Sequence, residues 1–143
     1  MGSVIGENSS MAAIQEGLRS SQRYAISQDV YEYFLAAYHD TNPLHTDREF
    51  ARRHGFADKV MHGMILHGFI SHFVGVHFPG CGSLLQSVST QFKAPCHLGD
   101  EILIEATVTQ VVEAVKVIVM EIVLTNMTQG GVAAKSKVQV GLL

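Results

Sequence analysis

After His62-Gly63-Met64 the chain runs for about fifteen residues with apolar side chains on nearly every side of a helix, and it stops at Pro79-Gly80. A helix that is apolar all round has to lie inside a fold. The run is broken by His67, Ser71, His72 and His77, so it falls short of the roughly 18 uninterrupted apolar residues of a membrane span. Beyond it the period changes from helical to two. Residues 85–92, 101–112, 115–125 and 132–140 are rich in Val, Ile and Thr and read as four strands. Ala94-Pro95 and Gly99-Asp100 separate the first two, and Thr128-Gln-Gly-Gly131 closes the last hairpin. Helices followed by antiparallel strands indicate an α+β domain, a sheet packed on one buried helix.

Ahead of the buried helix the pattern predicts two more. The first has Ser27 as N-cap and apolar positions Val30, Phe34, Ala37 and Tyr38. It must end near Asp40, because Pro43 disfavours a helical Asn42, and residues 40–45 are expected as an irregular loop. Thr46-Asp-Arg-Glu49 then has the form of a capping box, with Gly55 as the C-terminal stop. A short strand at 24–26 would be the fifth of the sheet. Residues 1–22 are expected as a flexible leader that includes a Met-Gly-Ser start, and 23–143 as a single domain.

Hydrophobic residues are 47% of the chain and charged ones 16%, which supports a sizeable core and excludes a disordered polymer. Ten basic residues against thirteen acidic ones, with no basic run longer than Arg52-Arg53, argue against a nucleic-acid partner. Cys81 and Cys96 are too few for a disulfide scaffold and too far apart for a CxxC pair, which suits a reducing compartment. His62, His67, His72 and His77 recur every five residues, about 140° apart from one to the next on a helix, so neighbours do not share a face as paired metal ligands would.

Two features carry chemistry. Asp40 and His45 flank Thr-Asn-Pro-Leu, and the proline break lets a loop bring together side chains that a continuous helix would point about 140° apart. Such a pair supplies a base and an acid able to share one water; the same residues also serve as a capped turn. Gly63 stands where the buried helix begins. It either presents an unpaired amide, backed by the helix dipole, to an incoming carbonyl oxygen, or it allows close packing.

In order, Asp40-Thr-Asn-Pro-Leu-His45, Phe50-Ala51, Val60-Met-His-Gly-Met64, Ser89-Thr-Gln-Phe92, Ala94-Pro95 and Gly99-Asp-Glu101 resemble the MaoC-like hydratases. The likeness is to single-domain (R)-specific enoyl-CoA hydratases and 3-hydroxyacyl-thioester dehydratases, and it spans roughly residues 24–143. The resemblance implies a hot-dog fold, about five antiparallel strands wrapped around the central helix. It also implies reversible hydration of trans-2-enoyl thioesters to (R)-3-hydroxyacyl thioesters, with no metal or cofactor. Asp40 and His45 match the family's catalytic pair, and Asn42 its loop-holding asparagine. Gly63 matches the glycine whose amide polarises the thioester carbonyl, and Ser71 a serine close to the pair. His62 and Met64 fall at positions expected to meet substrate, and His62 is also expected to bond to backbone near the helix start.

Tyr38-His39 ahead of Asp40 departs from the small residues usual there. The implied partner is an acyl thioester of CoA or of acyl carrier protein, with Arg48, Arg52, Arg53 and Lys59 available to either. Open sheet edges and a half-covered helix point to a homodimer. The implied compartment is the cytoplasm, or the mitochondrial matrix in a eukaryote. Two other readings keep the fold: an acyl thioesterase and a non-catalytic acyl-thioester binding subunit.

Overall fold

The computed structural model describes residues 10–143; the first nine residues of the expected leader lie outside them. Five antiparallel strands, β1 (Arg19–Ala25), β2 (Ser83–Phe92), β3 (Glu101–Val112), β4 (Val117–Asn126) and β5 (Val132–Leu142), form one sheet in the order β1-β3-β4-β5-β2. Four strands fall within a few residues of their expected positions. β1 is the exception: it begins at Arg19, inside the expected leader, and Ile14 before it is buried in the core. Polar side chains such as Ser20 and Gln22 hide this strand from a hydrophobicity reading, although it pairs with β3 along its whole length.

The sheet wraps helix α4 (Met64–His72), which continues as a π-helical turn through Phe73–His77. Alternation aims the even-numbered residues of the central strands at this helix. Ile102, Ile104 and Val108 of β3, Ile118, Met120, Ile122 and Leu124 of β4, and Val138 and Val140 of β5 are all buried, against Ile65, Leu66, Phe69, Ile70, Phe73 and Val74. Register shifts between Leu85 and Ser87, Val108 and Gln110, and Leu124 and Thr125 add the local twist that curves a sheet. Phe73 is 0% exposed, and truncating it to Ala would cost about 3–5 kcal/mol. The helix is not covered all round. Met64, Gly68, Ser71, His72 and Val76 form an outward, exposed strip.

Between β1 and α4 lie α1 (Gln28–Tyr38), α2 (Pro43–Thr46) and α3 (Arg48–Arg53). Ser27 caps α1 as expected, accepting from the Val30 amide at 3.1 Å. The inward face differs from the expected one: Tyr31 is the buried residue of α1, while Ala37 and Tyr38 are exposed. His39 ends the helix in the left-handed region at φ 56°. The expected irregular loop holds a helical turn, α2, because Pro43 sits at the first helical position and Asn42 caps it. The expected capping box does not form. Asp47 is the N-cap of α3, accepting from Glu49 and Phe50, while the Thr46 hydroxyl turns back to the carbonyls of Thr41 and Asn42. Among the described residues no helix is long and apolar enough to cross a membrane.

Candidate active site

The segment from Asp40 to His45 is held from three directions. Asn42 accepts from the Leu44 amide at 3.0 Å, and its own amide donates to Asp40 Oδ1 at 3.3 Å, so one asparagine shapes both ends of the turn. Tyr31 on α1 donates its hydroxyl to the His45 carbonyl at 2.7 Å. Val60 clamps from the other side: its amide donates to the Leu44 carbonyl, and its carbonyl accepts from His45 Nδ1 at 2.6 Å. A carbonyl only accepts, so Nδ1 carries a proton and the other nitrogen, Nε2, is left to face Asp40. His45 Nε2 lies 3.7 Å from Asp40 Oδ2, with the histidine side chain 15% exposed and the carboxylate 50% exposed. That gap is too long for a direct hydrogen bond and leaves both atoms room to bond one water.

His62 lies beneath this pair, bonded to backbone as expected and without an open face towards a substrate. It is 3% exposed, packed on His45 with ring centroids 4.0 Å apart and the planes tilted by 35°, and flanked by Phe34 and Tyr31. Its Nε2 donates to the Asp40 carbonyl at 2.8 Å, and its Nδ1 is buried without a partner. His62 therefore anchors the Asp40 backbone from inside the fold. Asp40, His45 and His62 stand close enough together to surround a cation, with one ligand atom from each within 4.8 Å of the others. Two of the four imidazole nitrogens are already spent on the carbonyls of Val60 and Asp40, which weakens the set as a metal centre.

Gly63 opens α4 and is exposed, and its amide has no acceptor among the described residues. A Cβ built on it would come 3.2 Å from Phe92 Cε1, so the glycine also answers to close packing. Asp40, Met64 and Ser71 line a groove of about 890 Å³ between α1 and α4, walled by Tyr33, Phe34 and Tyr38. His45, Gly63 and Phe92 line a second, of about 350 Å³, together with Lys93, Pro95 and Cys96. Asp40 and His45 stand where the two grooves approach each other. Ser71 lies two helical turns beyond Gly63, about 12 Å along the axis, and makes no hydrogen bond to Asp40 or His45.

Sequence reasoning missed Tyr31 and Val60. Each contact uses a backbone carbonyl as acceptor, that of His45 for Tyr31 and that of Val60 for His45, across 14 and 15 residues, and such acceptors leave no trace in side-chain spacing.

Residues 9–130 match the family model described as the MaoC like domain. The chain belongs to that family. Over 99 residues it is 34% identical to an (R)-specific enoyl-CoA hydratase of Rhodospirillum rubrum, covering 69% of each chain. Over 77 residues it is 40% identical to a mitochondrial 3-hydroxyacyl-[acyl-carrier-protein] dehydratase of Arabidopsis thaliana, covering 54% of this chain and 45% of the plant protein, less than half its length. Among solved structures, the (R)-hydratase of A. caviae involved in PHA biosynthesis superposes with a TM-score of 0.84 at 28% identity, over 92% of this chain and 98% of that one. The hot-dog arrangement of this MaoC-like domain is therefore shared with structures of hydratases.

Proposed function

We propose that this MaoC-like domain hydrates trans-2-enoyl thioesters reversibly to (R)-3-hydroxyacyl thioesters. The reading rests above all on one observation: Asp40 Oδ2 and His45 Nε2 are 3.7 Å apart, both unsatisfied, at the approach of two grooves beside the free Gly63 amide. The names of the relatives supply the substrate class, an acyl thioester of CoA or acyl carrier protein.

In the forward direction a water bound between the pair gives one proton to Asp40 as its oxygen adds to the β-carbon. Electron density moves through the conjugated bond onto the thioester oxygen, where the Gly63 amide and the N-terminal end of α4 meet the developing charge. His45, protonated at Nε2 beside the carboxylate, delivers a proton to the α-carbon from the same side. Asp40 is then neutral acid and His45 neutral base, and passing the proton from one to the other resets the site. Asn42 and His62 act through Asp40, as positioning residues. Met64 and the aromatic walls of the larger groove receive the acyl chain, and Ser71 lies further along it.

The proposed chemistry draws on no metal or cofactor, and EDTA should leave the rate unchanged. The exposed strip of α4 and the edge strands β1 and β2 favour a homodimer, and the paired-thiol-free composition favours a reducing compartment such as the cytoplasm or mitochondrial matrix.

The test is the ultraviolet absorbance of crotonyl-CoA followed alongside free thiol. Loss of the enoyl band without thiol release is the expected result. Thiol release would make the protein a thioesterase instead, and neither signal, with CoA and acyl-carrier-protein substrates alike, would make it a binding subunit.

A further inference from the structure

A polar chain crosses the core beside the larger groove and is not used by the mechanism above. Ser136 on β5 is 5% exposed and stands in an otherwise apolar row with Ala106 and Ile122, its neighbours in register on β3 and β4. Its hydroxyl donates to the Ser89 carbonyl at 3.2 Å. Because a hydroxyl has one hydrogen, the 2.9 Å contact between Ser136 and Thr90 must be donated by Thr90. The Thr90 oxygen is then left to accept at 2.7 Å from His67 Nε2, on α4. The direction of every bond is set by the carbonyl at the end. That order of donors selects the Nε2–H tautomer of the imidazole, with its lone pair on Nδ1. Burial pushes His67 below the ordinary histidine range, which keeps the ring neutral at pH 7.

His67 lines the same groove as Asp40 and Met64, its ring stacked near Phe92 with centroids 5.8 Å apart. Its Nδ1 has no protein partner among the described residues, and it is not among the fully buried unpaired atoms. A hydroxyl relay sunk into an apolar core is costly unless it achieves something. What this one achieves is a fixed acceptor on the wall of a groove that is otherwise mostly apolar.

We propose that His67 is a substrate-positioning residue whose Nδ1 accepts a hydrogen bond from the bound thioester. The proposal rests on the hydratase reading. The donor it selects is an amide N–H of the pantetheine arm, several bonds from the reacting carbons, or the 3-hydroxyl carried on the β-carbon of the hydrated acyl group.

The test compares wild type with His67→Phe, which keeps a flat ring against Phe92 and removes the acceptor. One lost hydrogen bond should raise KM about five- to tenfold for a substrate that carries the donor, crotonyl-CoA where the donor is the amide, and leave kcat within about twofold. A crotonyl thioester of a simple alkanethiol has no amide. If the pantetheine amide is the donor, the KM penalty vanishes with it; if the 3-hydroxyl is the donor, the penalty appears with (R)-3-hydroxybutyryl-CoA and not with crotonyl-CoA. Equal KM for wild type and variant with all three substrates would overturn the proposal, as would a change in kcat alone.

Nitrogen NMR of the wild-type imidazole gives a readout independent of activity. The Nε2–H tautomer is expected at pH 7, and its Nδ1 signal should shift when the unreactive butyryl-CoA is added. Thr90→Val, close in shape, should convert the ring to a tautomer mixture and raise KM about threefold. An Nδ1–H ring in wild type, or a tautomer unmoved by Thr90→Val, would contradict the account even if the protein proved not to be a hydratase.

Discussion

Asp100 is 2% exposed and takes hydrogen bonds from the His97 amide, the Asn126 side chain at 2.7 Å and the Gln129 side chain at 3.1 Å. Asp40 has a half-exposed carboxylate with one bond at 3.3 Å and two imidazole nitrogens held off at 3.7 and 4.0 Å. Both aspartates stand within a few residues of a histidine in the chain. The first is buried and held by three donors that tie the entry of β3 to the end of β4, and the burial closes it to a ligand. The second is pre-positioned and undersupplied, which is what a group must be if it is to take a proton from something that arrives. What separates a structural carboxylate from a reactive one here is the count of satisfied lone pairs.

That contrast can be broken at several points. The largest effect is expected on the reactive side. His45→Gln keeps a donor for the Val60 carbonyl but cannot carry a proton to carbon, and kcat should fall about 10² to 10³-fold with little change in melting temperature. On the structural side, Asp100→Ala strands three donors in a buried site. Urea unfolding should show a loss of about 3 kcal/mol while turnover per folded molecule is retained. A variant that lost turnover and kept its stability would erase the distinction.

Gly63→Ala tests the oxygen site between them. The amide survives and the half-exposed Phe92 ring must shift by a few tenths of an ångström, so the fold should persist and kcat/KM drop about tenfold, less than for a removed donor.

The smallest effect concerns pH. Burial raises the Cys96 thiol from 9.0 to about 11, so the folded form holds a proton that the unfolded chain gives up earlier. Stability should be full below about pH 9 and fall as pH rises towards 11. Cys96→Ala should flatten that limb in melts recorded across the range.

The sequence made α4 and the four later strands legible because periodicity is a property of the residues themselves, and Pro43 exposed the turn that gathers Asp40, Asn42 and His45. Other features turned on competition or on distant contacts. Thr46 and Asp47 are both good caps, and Asp47 prevails once Thr46 is drawn back to the carbonyls of Thr41 and Asn42. Only the end of β1 is legible, as a short strand at 24–26, because Arg19, Ser20, Ser21 and Gln22 give its first half no apolar alternation. A backbone partner for His62 is legible, but that the partner is the Asp40 carbonyl, 22 residues back, comes only from its packing beneath His45. Asp100 reads merely as the start of a strand, since the side chains that hold it come from 26 and 29 residues further on.

The most direct test sets Asp40→Asn and Asp100→Asn side by side, measuring crotonyl-CoA turnover and melting temperature on the same preparations. The account predicts that Asp40→Asn loses about 10²-fold or more in kcat and melts like wild type, while Asp100→Asn melts lower and turns over normally. Near-wild-type turnover in Asp40→Asn would contradict it, and would remove this aspartate from the chemistry.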